Sequence, residues 1–399
     1  MNKRYTTVGT SSCNNHITYF QMFFKRTAWL ALLLVLTLTA QTNAQSVGDY
    51  RSTVAVFNWN ATGNWERWDG TTWVLNPTQG YPGQNPGTGT VTIRNGATVT
   101  INISPANAIG GLVVGEGISG VLQFDNTNRT LNIGAGGVLV NAGGTFRVAT
   151  PPNPNNNTHT INITGGGSFT NDGTVNFRED SGGNIDVANL NLSGNLEGTG
   201  TSTFNNITFN GTSNQTITIG GTINNIQAVT YNNTGTAPNN QITNQSVDFT
   251  NALTARQTAA GLTNISTFTA GNYRHNNTGT YLVSNANITV AAAMTVTALQ
   301  GTMNFAHDNA SAPILTLNGN LVVSGGTVNA GVNTNTTNEF ANALNMAAAN
   351  ASITLNSGQL NVGNTATGFG NLRMSANDQS VTVAVSYTHL RAHETPEHL

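Results

Sequence analysis

Apolar and polar residues alternate with period two in short runs along most of the chain. Clear examples are residues 90–93, 97–103, 216–219 and 352–355. Such alternation is typical of β-strands that bury one face. Gly, Asn and Ser separate the runs, so the pattern predicts many short strands joined by turns. Residues 340–349 (FANALNMAAA) come nearest to a helical pattern, and we expect one short helical or irregular excursion there.

A strand-and-turn phrase recurs along the chain. It occupies residues 131–148, returns at 161–177, and appears again at 314–329. Units of this kind cannot bury their apolar face alone and must stack on their neighbours. Three strands per turn would make coils of about 25 to 30 residues, with about eleven to thirteen coils stacked at about 4.8 Å each. Asparagines at equivalent turns, such as Asn141 and Asn171, would then form amide ladders.

The repeats predict an all-β fold, a right-handed parallel β-helix (β-solenoid) with an N-terminal aromatic cap. Tandem β-sandwiches are the alternative, but a sandwich has about seven strands in about a hundred residues, with wider spacing than these short strands. We place the Trp-rich cap and a Pro/Gly-rich lead-in at residues 45–87 and the β-helix repeats at 88–384. The rhythm weakens at 229–280, where we expect longer loops or irregular coils.

The N-terminal residues have the order of a secretory signal peptide. Lys25 and Arg26 precede an apolar run at 27–40, and small and polar residues follow as far as Ala44. The run is shorter than the roughly twenty apolar residues that span a bilayer, although an uncleaved membrane anchor is the alternative. We expect Met22 to be the true start and residues 1–44 to be a leader absent from the mature protein.

The C-terminal residues break with the repeats in composition. Residues 385–395 (VSYTHLRAHET) resemble the translation of a sequencing adapter, and they lack the Gly, Asn and strand rhythm that precedes them. We therefore expect residues 385–399 to be an artefact and the natural C-terminal region to be missing.

The composition between residues 46 and 384 excludes several classes of site. This segment has no lysine and no cysteine, because Lys3, Lys25 and Cys13 all lie in the leader. A disulfide framework and thiolate zinc sites are therefore excluded. Nucleic-acid binding needs clustered cations, and the segment is mildly acidic, so we expect no nucleic-acid partner.

Four tryptophans lie close together before the repeats, at Trp59, Trp65, Trp68 and Trp73. The open end of a β-helix exposes strand edges and apolar core, so it needs a cap, and aromatic residues are suited to that role. Asp69-Gly70 predicts a hairpin turn, across which Trp65 and Trp73 would meet. The alternative is a carbohydrate-stacking platform made of the same four indoles.

Candidate catalytic residues are sparse. The three histidines of the mature chain follow polar, loop-like stretches, and we expect all of them on the surface at coil corners; they are His159, His275 and His307. No metal-ligand spacing or nucleophile motif accompanies them, so we expect neither a metal nor a cofactor.

The densest charge cluster follows the second copy of the repeat. It comprises Arg178, Glu179, Asp180 and Asp186. We interpret it as a solvated loop. If the protein is an enzyme, these are the catalytic candidates, because a β-helical lyase or hydrolase needs carboxylates that converge on one groove.

The N-terminal motif resembles that of a known group of proteins. GDYRS at 48–52 and WERWDGTTWV at 65–74, followed by Thr-Val-Thr-Ile repeats, resemble the N-terminal part of large secreted surface proteins from bacteria with a type IX secretion system. The resemblance covers most of residues 45–384. It implies an adhesin-like or autotransporter-like rod that normally ends in a C-terminal sorting domain.

These observations predict an exported, non-enzymatic cell-surface or extracellular protein, structural or adhesin-like. Its partner would be surface polysaccharide or a host or neighbouring cell surface, with no transmembrane span in the mature chain. One alternative is a β-helical carbohydrate-active enzyme, which needs two carboxylates within about 5 to 9 Å of each other. The other is a carbohydrate-binding module that uses the Trp59–Trp73 cluster, which needs coplanar, exposed indoles.

Overall fold

The computed structural model describes residues 45–149, 156–181, 184–245, 266–283, 287–305, 314–330, 340–363 and 370–383. The expected leader at 1–44, the expected artefact at 385–399 and His307 lie outside these ranges. The described residues from Ser46 onward belong to one compact unit. Within the described ranges the chain is all-β, and its only helix is a single 3-10 turn at Thr62–Asn64.

The strands are short, and most have alternating buried and exposed side chains. In chain order they are β1 (Tyr50–Ser52), β2 (Val56–Asn58), β3 (Trp65–Trp68), β4 (Trp73–Leu75), β5 (Thr90–Ile93), β6 (Thr98–Ile101), β7 (Gly111–Val114), β8 (Val121–Phe124), β9 (Thr130–Ile133), β10 (Val138–Val140), β11 (Thr145–Arg147), β12 (Thr158–Ile163), β13 (Phe169–Asn171), β14 (Thr174–Asn176), β15 (Arg178–Ser181), β16 (Asn184–Leu192), β17 (Leu196–Gly198), β18 (Thr201–Thr203), β19 (Asn206–Phe209), β20 (Gln215–Ile219), β21 (Ile223–Asn225), β22 (Ala228–Asn232), β23 (Gln241–Asn244), β24 (Ser266–His275), β25 (Thr280–Leu282), β26 (Ile288–Val290), β27 (Met294–Ala298), β28 (Thr302–Phe305), β29 (Leu315–Leu317), β30 (Asn320–Ala330), β31 (Phe340–Met346), β32 (Ser352–Val362), β33 (Gly370–Met374) and β34 (Ser380–Val383).

Successive coils pair in parallel and build three faces of a solenoid-like stack. Face A runs through β1, β5, β7, β10, β13, β17, β20, β23, β24, β27, β30, β32 and β34. Face B runs through β2, β6, β8, β11, β14, β18 and β21. Face C runs through β9, β12, β16, β19, β22, β24, β26, β29, β31 and β33. Strand β24 belongs to faces A and C because it turns a corner between them.

The core consists of columns of apolar side chains, one from each coil. On face A, Val91 is the register partner of Leu112, Leu112 of Val138, and Val138 of Phe169, and all four are buried. These partners lie 21 to 31 residues apart along the chain. Because side chains alternate across a strand, every second residue faces this core. The alternation noted in the sequence therefore records which residues stack inside the coils.

The segment 340–349 is not helical. Phe340–Met346 forms β31, and its Leu344 and Met346 are buried against Leu315 and Leu317 of the preceding coil. The expectation of a helical or irregular excursion is therefore wrong, since stacking between coils overrides the helix propensity of the alanines. At 229–280 the described strands β22, β23 and β24 continue the parallel pairing, with one register shift after Tyr231.

Amide ladders exist, but not at the positions expected. Asn171 is the register partner of Val140, not of Asn141, and the amide of Asn141 donates to the carbonyl of Gly115 (2.7 Å). A real ladder joins Asn132, Asn162 and Asn191 through bonds of 2.8 Å each. A second ladder joins Asn304, Asn329 and Asn361, with bonds of 2.7 and 2.8 Å. Both lie on strands, where register is fixed, and not at turns, where coil length varies.

Candidate functional site

An antiparallel hairpin lies at the N-terminal edge of face A. Strand β1 pairs in parallel with β5 on one side and antiparallel with β3 on the other, and β3 pairs antiparallel with β4. Asp69 closes the turn, because its Oδ1 accepts bonds from the backbone N–H groups of Thr71 (2.7 Å) and Thr72 (2.8 Å). These hydrogen bonds lower the pKa of Asp69, and the bond from Thr72 has the largest effect. The hairpin thus provides hydrogen-bond partners for an otherwise open edge.

Two of the four tryptophans lie inside the first coil. Trp59 and Trp65 are fully buried, with ring centroids 5.1 Å apart and planes inclined by 66°. The indole Nε1 of Trp59 donates to the carbonyl of Pro82 (2.9 Å), and that of Trp65 donates to the carbonyl of Trp59 (2.7 Å). Neither ring has a face open to solvent. Their assignment as carbohydrate-stacking residues is therefore wrong, and their position is that of core residues.

The other two tryptophans lie on the outer face of the hairpin. Trp68 and Trp73 are register partners and partly exposed, with centroids 5.5 Å apart and planes inclined by 59°. The guanidinium carbon of Arg51 lies 4.3 Å from the centroid of Trp73, and its Nε lies 2.6 Å from Glu66 Oε2. The expected Trp65–Trp73 contact across the turn is wrong, because Trp68 and Trp73 directly flank it. Sugar stacking by Trp68 and Trp73 stays a prediction.

The charged candidates lie on a second hairpin, made of β15 and the start of β16. Glu179 and Asp186 are antiparallel register partners. Arg178 lies 3.6 Å from Asp180 as an ion pair and donates to Asn205 Oδ1 (3.2 Å), while Glu179 accepts from Asn176 Nδ2 (2.8 Å). Asp186 is fully buried. It therefore cannot reach a polymeric substrate, and its assignment as a surface catalytic candidate is wrong.

His159 is fully buried, contrary to the expectation of a surface histidine. Its imidazole stacks on Phe124, with centroids 4.3 Å apart and planes inclined by 14°. Its Nδ1 accepts a hydrogen bond from the backbone N–H of Arg129 (3.2 Å). Burial lowers its pKa to about 4, although the negative charges of Asp186 and Asp125 act in the opposite direction. The polar sequence around this residue gave no sign of an inward-facing position.

His275 is also fully buried, so the surface expectation is wrong for it too. It belongs to a polar network inside the core, with its Nδ1 3.5 Å from the hydroxyl of Tyr273. That hydroxyl accepts from Asn244 Nδ2 (3.2 Å), and the hydroxyls of Tyr231 and Tyr281 lie 3.0 Å apart. Burial raises the pKa of Tyr281 to about 12. The three tyrosine hydroxyls are therefore neutral hydrogen-bonding partners in the core.

Face B has an ordered outer surface that sequence reasoning missed. Its outward side chains form two columns; the first is Val56, Thr98, Val121, Thr145, Thr174 and Thr201, and the second is Asn58, Thr100, Gln123, Arg147, Asn176 and Thr203. Within the second column, Gln123 donates to Thr100 Oγ1 (3.2 Å) and accepts from the guanidinium of Arg147 (2.9 Å). Only the strand register reveals these columns, because neighbouring members are 23 to 42 residues apart in sequence.

Metal ligands do not converge in the described ranges, where no group of three or more His, Cys, Asp or Glu side chains is placed to hold an ion. The same ranges contain no helix of the length and apolarity that crossing a membrane requires.

Comparison with known proteins gives one match. Residues 73–206 match the G8 domain. This stretch begins with β4, includes the β15–β16 hairpin and His159, and excludes the first three tryptophans of the cap region. The G8 domain is a β-rich, typically extracellular domain, which is consistent with an exported protein. Searches of curated proteins and of solved structures gave no match.

Proposed function

We propose that the chain is an exported, non-enzymatic β-helix, right-handed, that serves as a structural or adhesin-like protein at the cell surface or outside the cell. The observation that carries this proposal is that polar side chains of successive coils form hydrogen bonds with one another. Asn162 binds Asn132 and Asn191, Gln123 binds Thr100, and similar bonds recur from coil to coil. In such a molecule, polar side chains of neighbouring coils bind one another and form a regular outer surface. Contact with surface polysaccharide or another cell would use that surface.

Right-handedness and the route of export belong to the same proposal. Parallel strands joined by crossovers are right-handed in about 98% of cases, which favours that hand here. The resemblance of residues 48–74 to type IX-exported surface proteins supports export by that route. A crystal structure would test the hand.

The location is tested by surface labelling of intact cells that produce the full chain. We expect an antibody against the folded repeats, or added protease, to reach the protein without lysis. A periplasmic or cytosolic marker serves as the control for cell integrity. Protein that becomes accessible only after lysis would contradict the proposal.

A second candidate function is carbohydrate contact by the outer tryptophan pair. Trp68 and Trp73 are partly exposed side by side, and aromatic faces favour contact with the apolar faces of sugars. Because their planes are inclined, a pyranose ring would stack on one indole at a time. The double variant Trp68→Ala/Trp73→Ala should then lose binding in a polysaccharide pull-down. Ile118→Ala is the matched control, since Ile118 is an exposed apolar residue elsewhere. Equal binding by both variants would exclude this candidate.

The enzyme alternative rests on Glu179 and Asp180, the carboxylate candidates that are not fully buried. Glu179→Gln should abolish any polysaccharide cleavage if the hairpin is catalytic. Cleavage by the wild-type chain that this variant loses would replace the non-enzymatic proposal.

A further inference from the structure

Three buried polar side-chain atoms have no hydrogen-bond partner in the protein. One belongs to the residue before β12, one to β12 and one to β16. They are Asn157 Nδ2, His159 Nε2 and Asp186 Oδ2. His159 and Asp186 are fully buried and Asn157 is 8% exposed. Leaving a buried donor or acceptor unsatisfied costs about 1 to 3 kcal/mol for each group. Three such atoms in one part of the wall point to a shared partner.

The strand register places the three side chains together on the inner side of face C. The backbone N–H of Asn157 donates to Asp186 Oδ1 (2.8 Å), so these two residues are directly adjacent. His159 lies two residues further along the same side of the strand, opposite Ala188, whose side chain has no polar group. Diagonal neighbours on a sheet are about 7 to 8 Å apart, within reach of long side chains. His159 Nε2 and Asp186 Oδ2 nevertheless form no hydrogen bond with each other, so one bridging molecule could satisfy both.

The other charged groups near His159 are already paired. Arg129 binds Asp125 through two hydrogen bonds, Nε to Oδ1 (2.8 Å) and the terminal nitrogen to Oδ2 (2.6 Å). Asp125 therefore needs no further donor, whereas Asp186 still has a free oxygen. Among the described carboxylates that act on His159, Asp186 is therefore the one with an oxygen that still lacks a donor.

The tautomer of His159 decides which partner fits. Because the backbone N–H of Arg129 donates to Nδ1, the proton of the neutral ring is on Nε2. A protonated ring nitrogen has no lone pair for a metal ion, so Nε2 acts as a donor. The amide Nδ2 of Asn157 is a second donor, and Asp186 Oδ2 is an acceptor. Two donors and one acceptor match the hydrogen-bonding capacity of water.

We propose that Asn157, His159 and Asp186 form a binding site for one internal water molecule. The water accepts hydrogen bonds from His159 Nε2 and Asn157 Nδ2 and donates one to Asp186 Oδ2. Internal waters typically make about three such bonds to buried polar groups. The neighbouring bond from the backbone N–H of Ile185 to Asn156 Oδ1 (2.9 Å) holds the same strand start. The water therefore fixes the base of the β15–β16 hairpin to the coil wall.

Two measurements on the full chain test the proposal. A high-resolution crystal structure should show a density peak within hydrogen-bonding distance of all three atoms, without anomalous signal from a metal. Nitrogen-15 NMR of histidine-labelled protein at neutral pH should show His159 protonated at Nε2 only. A metal peak, a direct His159–Asp186 hydrogen bond, or a proton on Nδ1 would overturn the proposal.

A variant adds an independent test. Asp186→Asn removes the negative charge, and because its remaining oxygen still accepts from the backbone N–H of Asn157, an NH2 donor replaces the free oxygen; we therefore expect the water peak to disappear or weaken and the His159 titration to move to lower pH. Asp172→Asn is the matched control, because Asp172 is an exposed aspartate in the coil of His159 and is not among the charges that act on the ring. An unchanged water and an unchanged titration in Asp186→Asn would contradict the assignment of Asp186. If that variant does not fold, the wild-type measurements still decide the proposal.

Discussion

The two ends of the described stack are finished differently. At the N-terminal end, β3 covers the free edge of β1, and Trp65 is fully buried beneath it. At the C-terminal end, β34 pairs with β32 alone among the described strands. Val381 in β34 is 42% exposed, whereas its register partner Ile353 one coil earlier is 1% exposed.

The contrast shows how a stacked fold buries its side chains. An inward residue is buried only when coils lie on both sides of it, because each coil contacts just its neighbours. Met346 is fully buried and its partner Met374, in the last described coil of face C, is 51% exposed. The antiparallel hairpin and the inner tryptophans take the place of the missing neighbour at the first coil. Removing them should make the first coil resemble the last.

The largest effect should come from truncating an inner tryptophan. Trp65→Ala deletes a fully buried indole and its hydrogen bond to the carbonyl of Trp59, so we expect the free energy of unfolding to fall by about 3 to 5 kcal/mol. Urea denaturation would measure the loss, and hydrogen exchange would show faster exchange in β1 and β5.

The matched control for this variant is Trp73→Ala. Trp73 is partly exposed and stacks against Arg51, so its truncation should cost about 1 kcal/mol or less. Equal losses for the two variants would mean that the inner and outer tryptophans do not differ as the burial indicates.

Acid should weaken the stack next, and away from both ends. The pKa of His159 is lowered by burial from 6.5 to about 4, so the unfolded chain binds the proton more tightly than the folded one. Stability is then complete above about pH 6.5 and is lost as pH falls toward 4, by roughly 3 kcal/mol in total. The groups that face the ring are Asp186, Asp125 and Arg129. Thermal denaturation between pH 7 and 4 measures the loss.

The variant His159→Gln separates this histidine from the other titrating groups. Glutamine keeps a side-chain acceptor for the backbone N–H of Arg129 but does not titrate in this range. Its stability should depend less on pH between 6.5 and 4 than that of the wild type. An equally steep loss in both proteins would assign the acid sensitivity to other residues.

These expectations also show what the sequence could and could not predict. Period-two alternation identified the strands and the stacking, because burial of alternate side chains leaves a direct trace in residue order. Coil length leaves no such trace, so Asn141 was paired with Asn171 although the register aligns Asn171 with Val140. The direction of an isolated polar residue is also set by its neighbours in other coils. His159 points inward because its ring stacks on Phe124 and its Nδ1 accepts a hydrogen bond from the N–H of Arg129.

The hairpin was predictable in part. Asp69-Gly70 correctly indicated the turn, but the pairing of Trp68 with Trp73 depends on the four-residue turn from Asp69 to Thr72. Trp65 and Trp68 face opposite sides because they are three positions apart on β3, and the register then places Trp73 on the side of Trp68. A one-residue difference in the turn would have moved Trp73 to the opposite face.

An interior ladder residue should have a smaller effect than acid. Asn162 donates to Asn132 Oδ1 and accepts from Asn191 Nδ2, both at 2.8 Å, so Asn162→Ala should cost about 1 to 2 kcal/mol. Urea denaturation is again the measurement. Asn126→Ala, at an exposed turn, is the control and should cost less than about 0.5 kcal/mol. A loss no larger than that of the control would mean that the ladder does not stabilise the stack.

The smallest effect should lie at the C-terminal end. Val381→Ala removes two methyl groups from a side chain that is already 42% exposed, and few neighbours lose contact, so we expect a cost below about 0.5 kcal/mol. The matched variant is Val296→Ala, on face A in the interior of the stack, where the valine is fully buried and the cavity left behind should cost about 2 kcal/mol. Hydrogen exchange should agree, with the amides of β34 exchanging before those of β27, because the outer edge of the last described strand opens without separating two coils. A large effect of Val381→Ala would mean that this end of the stack is covered in solution, and the contrast between the two ends would then be lost.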